Sequence, residues 1–169
     1  MLAVTTEESF DMVLDLITRA AALIAVLGTA VVYGTDVFCA MVLRPALAKV
    51  DDAALVAIMG NVHRYGDRRM PVPGVLGVAA TAAAAVLAVV DAQWVRVAAS
   101  GVALLLLVVW LVVYARVSAP INRQLTAAAD DGRSLPNGRA LQAKWDRVIV
   151  ARATLQGLAV AALCVVLAI

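Results

Sequence analysis

The sequence predicts an all-α integral membrane protein, a single domain over residues 1–169. Its four transmembrane helices are predicted to form an up-and-down bundle, with a short amphipathic surface helix between spans 1 and 2. Two observations support this fold class. Of the 169 residues, 64% are hydrophobic, compared with roughly 45–50% in a typical soluble domain. The charged residues, 15% of the chain, lie between apolar blocks that are long enough to cross a bilayer.

The first span is predicted over residues 13–43. The preceding segment, residues 1–12, contains acidic residues and no basic one. A secretory signal instead begins with a positively charged region, so we expect this apolar segment to be retained. Pro45 favours a helix end at Arg44, because the residue before a proline is biased away from helical geometry.

Residues 46–70 are too polar to cross a membrane and predict the surface helix. Asp51 and Asp52 suit a helix N-terminus. Apolar residues then recur at the spacing of one helix face, which is typical of a helix lying on a membrane. The segment ends in a basic stretch that begins with His63.

Three further spans are predicted over residues 71–90, 97–118 and 150–169. Pro71 suits the first turn of the second span. Pro120 predicts a kink after the third. The composition of residues 130–138 indicates a loop, and a helix restarts near Arg139.

Basic residues are distributed unevenly among the connections. Of the 14 Lys and Arg residues, 12 lie in segments 44–70 and 116–152, and the other two are Arg19 and Arg96. Connections rich in Lys and Arg stay in the cytoplasm, so both termini should face outside. The abundance of Ala, Val and Arg is typical of a GC-rich bacterium, which favours the bacterial inner membrane as the location.

One carboxylate, Asp36, interrupts the apolar run between Arg19 and Arg44. A carboxylate inside a membrane is costly to bury, so it normally faces a bundle interior or a wet cavity and has a partner. Helical spacing places Thr29 and Tyr33 on the same face as Asp36. The sequence therefore predicts a site at this depth.

Two further polar and aromatic stripes fall at the depth of Asp36. The stripe at the cytoplasmic end of the third span comprises Trp110, Tyr114, Ser118 and Asn122, and the stripe entering the fourth comprises Trp145, Ile149, Arg152 and Gln156. Arg152 is the natural ion-pair partner of Asp36. Two alternatives remain open: Arg152 only marks the membrane boundary, and Asp36 only braces a neighbouring helix.

The candidate residues also have simpler interpretations. His63 can accept a proton at neutral pH, but it also fits a surface histidine in a basic loop. Tyr33, Tyr114 and Trp145 also fit an interfacial aromatic belt. The sequence has no metal-ligand spacing, phosphate-binding loop or nucleophile elbow, so we predict no metal and no cofactor. Basic residues flank the spans instead of forming a stripe, so we predict no nucleic-acid binding.

Four short motifs form a recognisable set along the chain. The first is the stretch 34–47, which ends in MVLRPAL, and the second is the stretch 59–64, MGNVHR. The third is the stretch 119–125, APINRQL, and the fourth is the spacing between Trp145 and Arg152. Together they resemble the first helix, surface helix, Pro-x-Asn-x-x-Leu motif and fourth-span entry of the DUF1772, or anthrone oxygenase-like, membrane proteins.

The resemblance covers nearly the whole chain and implies a four-helix membrane protein. Characterised members oxidise polyketide anthrones to anthraquinones without a metal or flavin, so it implies a cofactor-free monooxygenase acting on a hydrophobic aromatic substrate. At three positions the chain departs from the expected pattern, with His63 in place of Asn, Ile149 in place of a polar residue and Val148 in place of an aromatic one.

Such a reaction needs a base to form an electron-rich carbanion and a cation to hold the oxyanion. Asp36 or His63 would be the base, and Arg152 with Asn122 would stabilise the oxyanion. The remaining candidate substrate-binding residues are Tyr33, Tyr114, Trp145 and Gln156.

The alternative function is a non-catalytic accessory or small-molecule-binding membrane protein. It predicts tight packing around Asp36, whereas the oxygenase hypothesis predicts a cavity between spans 1, 3 and 4 large enough for fused rings. Transport is a third hypothesis, and with only four spans it would require an oligomer. The partners expected from the sequence are the lipid bilayer and a hydrophobic aromatic molecule.

Overall fold

The computed structural model describes residues 2–133 and 135–169, with side chains described from Glu7 onward. These residues form helices and short connections and contain no β-strand, which confirms the predicted all-α class. Along the chain the elements are α1 (Leu2–Phe38), a π-helical turn (Cys39–Leu43), α2 (Arg44–Leu47), α3 (Asp52–Arg69), α4 (Pro71–Val90), α5 (Trp94–Val113), a second π-helical turn (Tyr114–Ser118), α6 (Ala119–Asp130) and α7 (Gly138–Ala168).

Four helical stretches are long and apolar enough to cross a membrane, the number that the sequence predicts. They are Glu7–Leu47, Pro71–Val90, Trp94–Asp130 and Gly138–Ala168. The first, third and fourth extend beyond their apolar segments, because polar residues continue the same helix. A loop joins α6 to α7 as expected, although its Ser134 lies outside the described residues.

The outer surface of the bundle is apolar. Large side chains such as Leu16, Val86 and Leu105 are each more than 60% exposed, whereas soluble monomers rarely carry large contiguous apolar patches. Polar side chains such as Thr18 and Ser100 are fully buried and donate to carbonyls of their own helices. This distribution indicates a membrane protein, since lipid is the solvent that favours an apolar exterior.

Small residues set the packing of the spans. α1 lies against α4 and α7, and α5 packs against α4 and α7. At the α1–α4 crossing, Gly28 and Gly77 let the two backbones approach closely, and a Cβ added to Gly28 would lie 2.7 Å from the Pro73 oxygen. Close helix contact through small residues is typical of membrane bundles, because dispersion forces grow as backbones approach.

Ion pairs around Asp15 join the helices at one end of the bundle. Arg96, at the start of α5, is 3% exposed and lies 2.6 Å from an Asp15 carboxylate oxygen. Arg19 donates to the other oxygen of Asp15 at 2.9 Å and to the Leu167 carbonyl at 2.8 Å. The two basic residues that the sequence analysis used only for topology therefore connect α1, α5 and α7.

α3 and α6 pack together at the other end. The Asp51 side chain accepts a hydrogen bond from the Ala54 amide and caps α3, as its sequence predicts. Gly60 lies so close to α6 that an added Cβ would meet the Leu125 carbonyl oxygen at 2.5 Å, and its own carbonyl accepts from Thr126 at 3.2 Å. A buried apolar cluster that includes Met59 and Leu125 joins these helices to α7.

We expect Gly28→Ala to destabilise the protein by about 1–3 kcal/mol, since the new methyl group overlaps backbone atoms that cannot move aside. Gly34→Ala is the matched control on the same helix, because a Cβ there would meet nothing within 4 Å. It should stabilise by roughly 0.5–1 kcal/mol through helix propensity. Unfolding titrations in detergent micelles measure both, and equal effects would contradict the proposed α1–α4 contact.

Candidate functional site

A buried ion pair lies at the centre of the site, as predicted. Arg152 Nη2 donates to Asp36 Oδ1 at 2.9 Å, and the two residues are 5% and 3% exposed. Gln156 Nε2 donates to Asp36 Oδ2 at 2.6 Å. Both carboxylate oxygens of Asp36 therefore have donors, which offsets part of the cost of removing the charge from water.

The Arg152 guanidinium is held on several sides. Its Nη1 donates to Ser118 Oγ at 2.9 Å. Its Cζ lies 5.5 Å from the centre of the Tyr114 ring and 5.7 Å from that of Trp145, within the range of cation–π attraction. Two of these partners, Tyr114 and Ser118, are the first and last residues of the second π-helical turn.

Each π-helical turn precedes a proline. Pro45 follows the turn Cys39–Leu43, and Pro120 follows the turn Tyr114–Ser118. Proline lacks an N–H and cannot make the regular helical hydrogen bond. A π-helical turn widens the helix locally and lets it continue through such a position, and these turns are frequent at functional sites. The predicted break at Arg44 is instead a widened turn within one helical stretch.

A cavity of about 370 Å³ opens beside the ion pair. Its volume lies in the range of small-molecule sites, roughly 300–1,000 Å³. Six of the residues predicted from the sequence lie on its wall: Asp36, His63, Tyr114, Asn122, Trp145 and Arg152.

The cavity wall extends beyond the expected spans. In addition to α1, α5 and α7, it includes the first half of α4 and one face of α3. Ile149, where the family resemblance implies a polar residue, is fully buried in the apolar cluster with Met59 and Leu125. Its side chain is part of that core and not of the wall.

Two predicted residues lie elsewhere. Gln156 is behind the wall and reaches the site only through its hydrogen bond to Asp36. Tyr33 packs against Gly157 of α7, where an added Cβ would be 3.1 Å from the ring. The three positions from Tyr33 to Asp36 fall about 60° short of a full turn, which separates the two side chains around α1.

Asp67 is the site residue that the sequence analysis missed. Its Oδ1 accepts hydrogen bonds from the Tyr114 hydroxyl and from Asn122 Nδ2, each at 2.9 Å. Asp67 lies on the cavity wall, one turn after His63 on α3. That i, i+4 spacing was a usable signal, but the surrounding basic residues indicated a solvated surface.

His63 is buried instead of lying in a solvated loop. It is 5% exposed, and its ring centre lies 5.4 Å from that of Trp145. Burial lowers the pKa of His63 to about 4, helped by the positive charge of Arg152 and opposed by Asp67. The imidazole is therefore neutral near pH 7.

Several buried polar groups on the wall have no hydrogen-bond partner among the described residues. They are His63 Nε2, Trp110 Nε1, Asn122 Oδ1, Trp145 Nε1 and Arg152 Nε. Buried polar groups normally have a partner, because leaving one unpaired costs free energy. Three of the five can only donate, so the site suits a ligand that carries an acceptor oxygen.

The described residues contain no group of three or more His, Cys, Asp or Glu side chains that could hold a metal ion. Cys39 is a buried thiol on the cavity wall, and Cys164 is an exposed thiol on α7. The other polar side chains of the wall can transfer protons, form hydrogen bonds and stabilise charge.

Comparison with known proteins gives no match: no family model matches the chain, and no characterised protein or solved structure has significant similarity to it. The resemblance to the DUF1772 family therefore depends on the motifs quoted above. The geometry of the site supplies the remaining basis for a function.

We expect Arg152→Ala to destabilise the protein by about 3–5 kcal/mol, because it leaves the Asp36 charge buried without its cation. Arg133→Ala is the control. Arg133 is 68% exposed, and its one ion-pair partner among the described residues is the nearby Asp131, so its loss should cost less than about 0.5 kcal/mol. The double variant Asp36→Leu/Arg152→Met should recover most of the loss, since no charge remains buried. Detergent unfolding titrations measure all three, and an Arg152→Ala value equal to the control would refute the structural role of the pair.

The depressed pKa of His63 predicts acid sensitivity. The unfolded imidazole gains a proton below about pH 6.5, whereas the folded one gains it only near pH 4. Stability should therefore be complete above pH 6.5 and fall towards pH 4, by on the order of 3 kcal/mol. His63→Asn should remove this component and leave the rest of the pH profile unchanged. Parallel profiles for the two proteins would show that His63 titrates normally.

Proposed function

We propose that this chain is a cofactor-free membrane oxidoreductase that uses dioxygen to oxidise a hydrophobic aromatic ring compound. The observation that carries the proposal is the cavity of about 370 Å³ beside the Asp36–Arg152 pair, with unpartnered donors on its wall. The resemblance to the anthrone oxygenase-like proteins gives the reaction, and the cavity is the feature that distinguishes this hypothesis from tight packing around Asp36.

The contacts favour different roles for the two candidate bases. Both oxygens of Asp36 already accept hydrogen bonds, so Asp36 positions Arg152. The neutral imidazole of His63 has an unpartnered Nε2 on a cavity residue and is the better proton acceptor. Asp67, one turn along α3, stabilises the imidazolium that forms, since its charge raises the pKa of His63.

The reaction begins at a ring methylene that is conjugated with a carbonyl. His63 takes a proton from this carbon, and the electron pair moves onto the carbonyl oxygen. Arg152, whose Nε has no partner among the described residues, stabilises that oxyanion. Asn122, expected from the sequence to share this role, already donates to Asp67 and leaves only its acceptor oxygen unpaired on the wall. The enolate carbon then bonds to dioxygen, and the resulting peroxide anion takes back the proton held by His63 to give a hydroperoxide, which loses water to form a second carbonyl. One ring methylene and one dioxygen are consumed, and one carbonyl and one water are formed.

The protein acts in the bilayer in this proposal. The abundance of Ala, Val and Arg favours a bacterial inner membrane location, and the uneven distribution of Lys and Arg favours an orientation with both termini outside. α3 and its basic end then lie on the cytoplasmic surface, as the surface helix of the sequence analysis. The ion pair and the cavity lie at the cytoplasmic end of the spans.

A second candidate function is a non-catalytic binder of the same class of ligand. The observation that favours it is the saturation of Asp36, whose two oxygens both accept from protein groups. A protein of this kind would hold a ring compound without consuming dioxygen.

The direct test is oxygen consumption by the full chain in phosphatidylcholine vesicles with anthrone as substrate. We expect anthraquinone to form in a one-to-one ratio with dioxygen consumed. His63→Asn should lower the rate by at least about a hundredfold, the usual contribution of a general base. Asn61→Ala is the control on the same helix, because Asn61 is exposed and its side chain donates to the Ala57 carbonyl of its own helix, away from the cavity wall.

The results separate the two candidates. Binding of anthrone without oxygen consumption supports the non-catalytic binder. If anthrone is neither bound nor oxidised, that result contradicts both functions for this ring ketone. An unchanged rate in His63→Asn would exclude His63 as the base.

A further inference from the structure

The cavity is partly open to the outside of the bundle. Residues that line the cavity and are also exposed mark the places where the wall reaches the outer surface of the bundle. Six wall residues meet this condition, and none of them is charged: Thr35, Val62, Pro71, Val75, Ala79 and Leu111.

The opening has a definite place among the spans. Val75 and Ala79 belong to α4, Leu111 belongs to α5, and all three lie within stretches that are apolar enough to cross a membrane. Val75 is 66% exposed and Leu111 is 38% exposed. They therefore border a mouth between α4 and α5 that faces the surroundings of the bundle.

Packed elements lie on both sides of the cavity along the bundle axis. Towards the Arg96 end, Gly28 and Gly77 bring α1 and α4 into backbone contact, and an apolar cluster that includes Leu107 fills the bundle interior. Towards α6, the cluster that contains Met59 and Leu125 packs behind Trp145. A ligand approaching along the axis meets these cores first.

We infer that the cavity loads sideways from the lipid, through the mouth that Val75, Ala79 and Leu111 border between α4 and α5. The identity of the ligand as a ring compound rests on the proposed function. The route itself rests on the exposure and the apolar character of these three wall residues.

The route restricts the chemical class of the ligand. An apolar mouth in contact with acyl chains admits an uncharged molecule that already partitions into the bilayer, since a charged group would lose its hydration there. The interior supplies indole N–H donors from Trp110 and Trp145 and the guanidinium of Arg152. The ligand that fits both is a neutral, lipid-soluble ring ketone, which enters before it becomes an anion.

The chain allows a reversible test of the mouth. In a Cys39→Ala/Cys164→Ala/Trp94→Phe background, all remaining tryptophan fluorescence comes from the two cavity residues, Trp110 and Trp145. Leu111→Cys is added, and the full chain in phosphatidylcholine vesicles is modified with benzyl methanethiosulfonate. Saturable quenching of the fluorescence by anthrone then reports loading. We expect the benzyl group to abolish it and dithiothreitol to restore it.

Two matched variants complete the experiment. Val102→Cys, exposed on the same helix but absent from the wall, should load normally after modification. Val62→Cys tests entry beside α3. Normal loading of modified Leu111→Cys, or a block only in modified Val62→Cys, overturns the lateral route. Unmodified protein that shows no saturable quenching overturns the proposed function for this ring ketone, which is a separate outcome.

Discussion

The buried pair of Asp36 and Arg152 is the interaction on which the rest of the site depends. A carboxylate within an apolar helix is tolerated only with a cation and additional donors. Here Arg152 supplies the cation, and Gln156 supplies a further donor. Because Arg152 also donates to Ser118, one guanidinium fixes three helical stretches at a common depth, and the cavity forms beside that fixed point.

The sequence predicts the charged centre well because its physical constraint is severe. A lone carboxylate in an apolar run requires a partner, and Arg152 is the cation that helical spacing and depth bring to it. Tyr114 and Asn122 follow from the same spacing. These residues carry large or polar side chains. Because exposing such polar groups to lipid is costly, they are restricted to positions that face the bundle interior or a cavity.

Other parts of the site give weaker signals. Asp67 and His63 lie among basic residues, a composition that indicates solvent, and only the packing of α3 against α6 shows that one of its faces is buried. The contribution of α4 comes from positions such as Gly74 and Val75, which are ordinary residues in any span. Tyr33 is a residue that the sequence assigns to the site wrongly. Its spacing of three from Asp36 suggests a shared helix face, but the two side chains differ in direction by about 60°, and the Tyr33 ring packs against Gly157.

The π-helical turn at Tyr114–Ser118 also corrects an angular error. In a regular helix of 3.6 residues per turn, each spacing of four advances by about 40°, so Asn122 would lie about 120° around the axis from Trp110. A widened turn takes up roughly one extra residue and sets the phase back by nearly the same angle. The helix can therefore direct Trp110, Tyr114 and Asn122 into one cavity over three turns. The one extra residue in the widened turn therefore keeps side chains at a spacing of four on one face of the helix, where they form a continuous wall of the cavity.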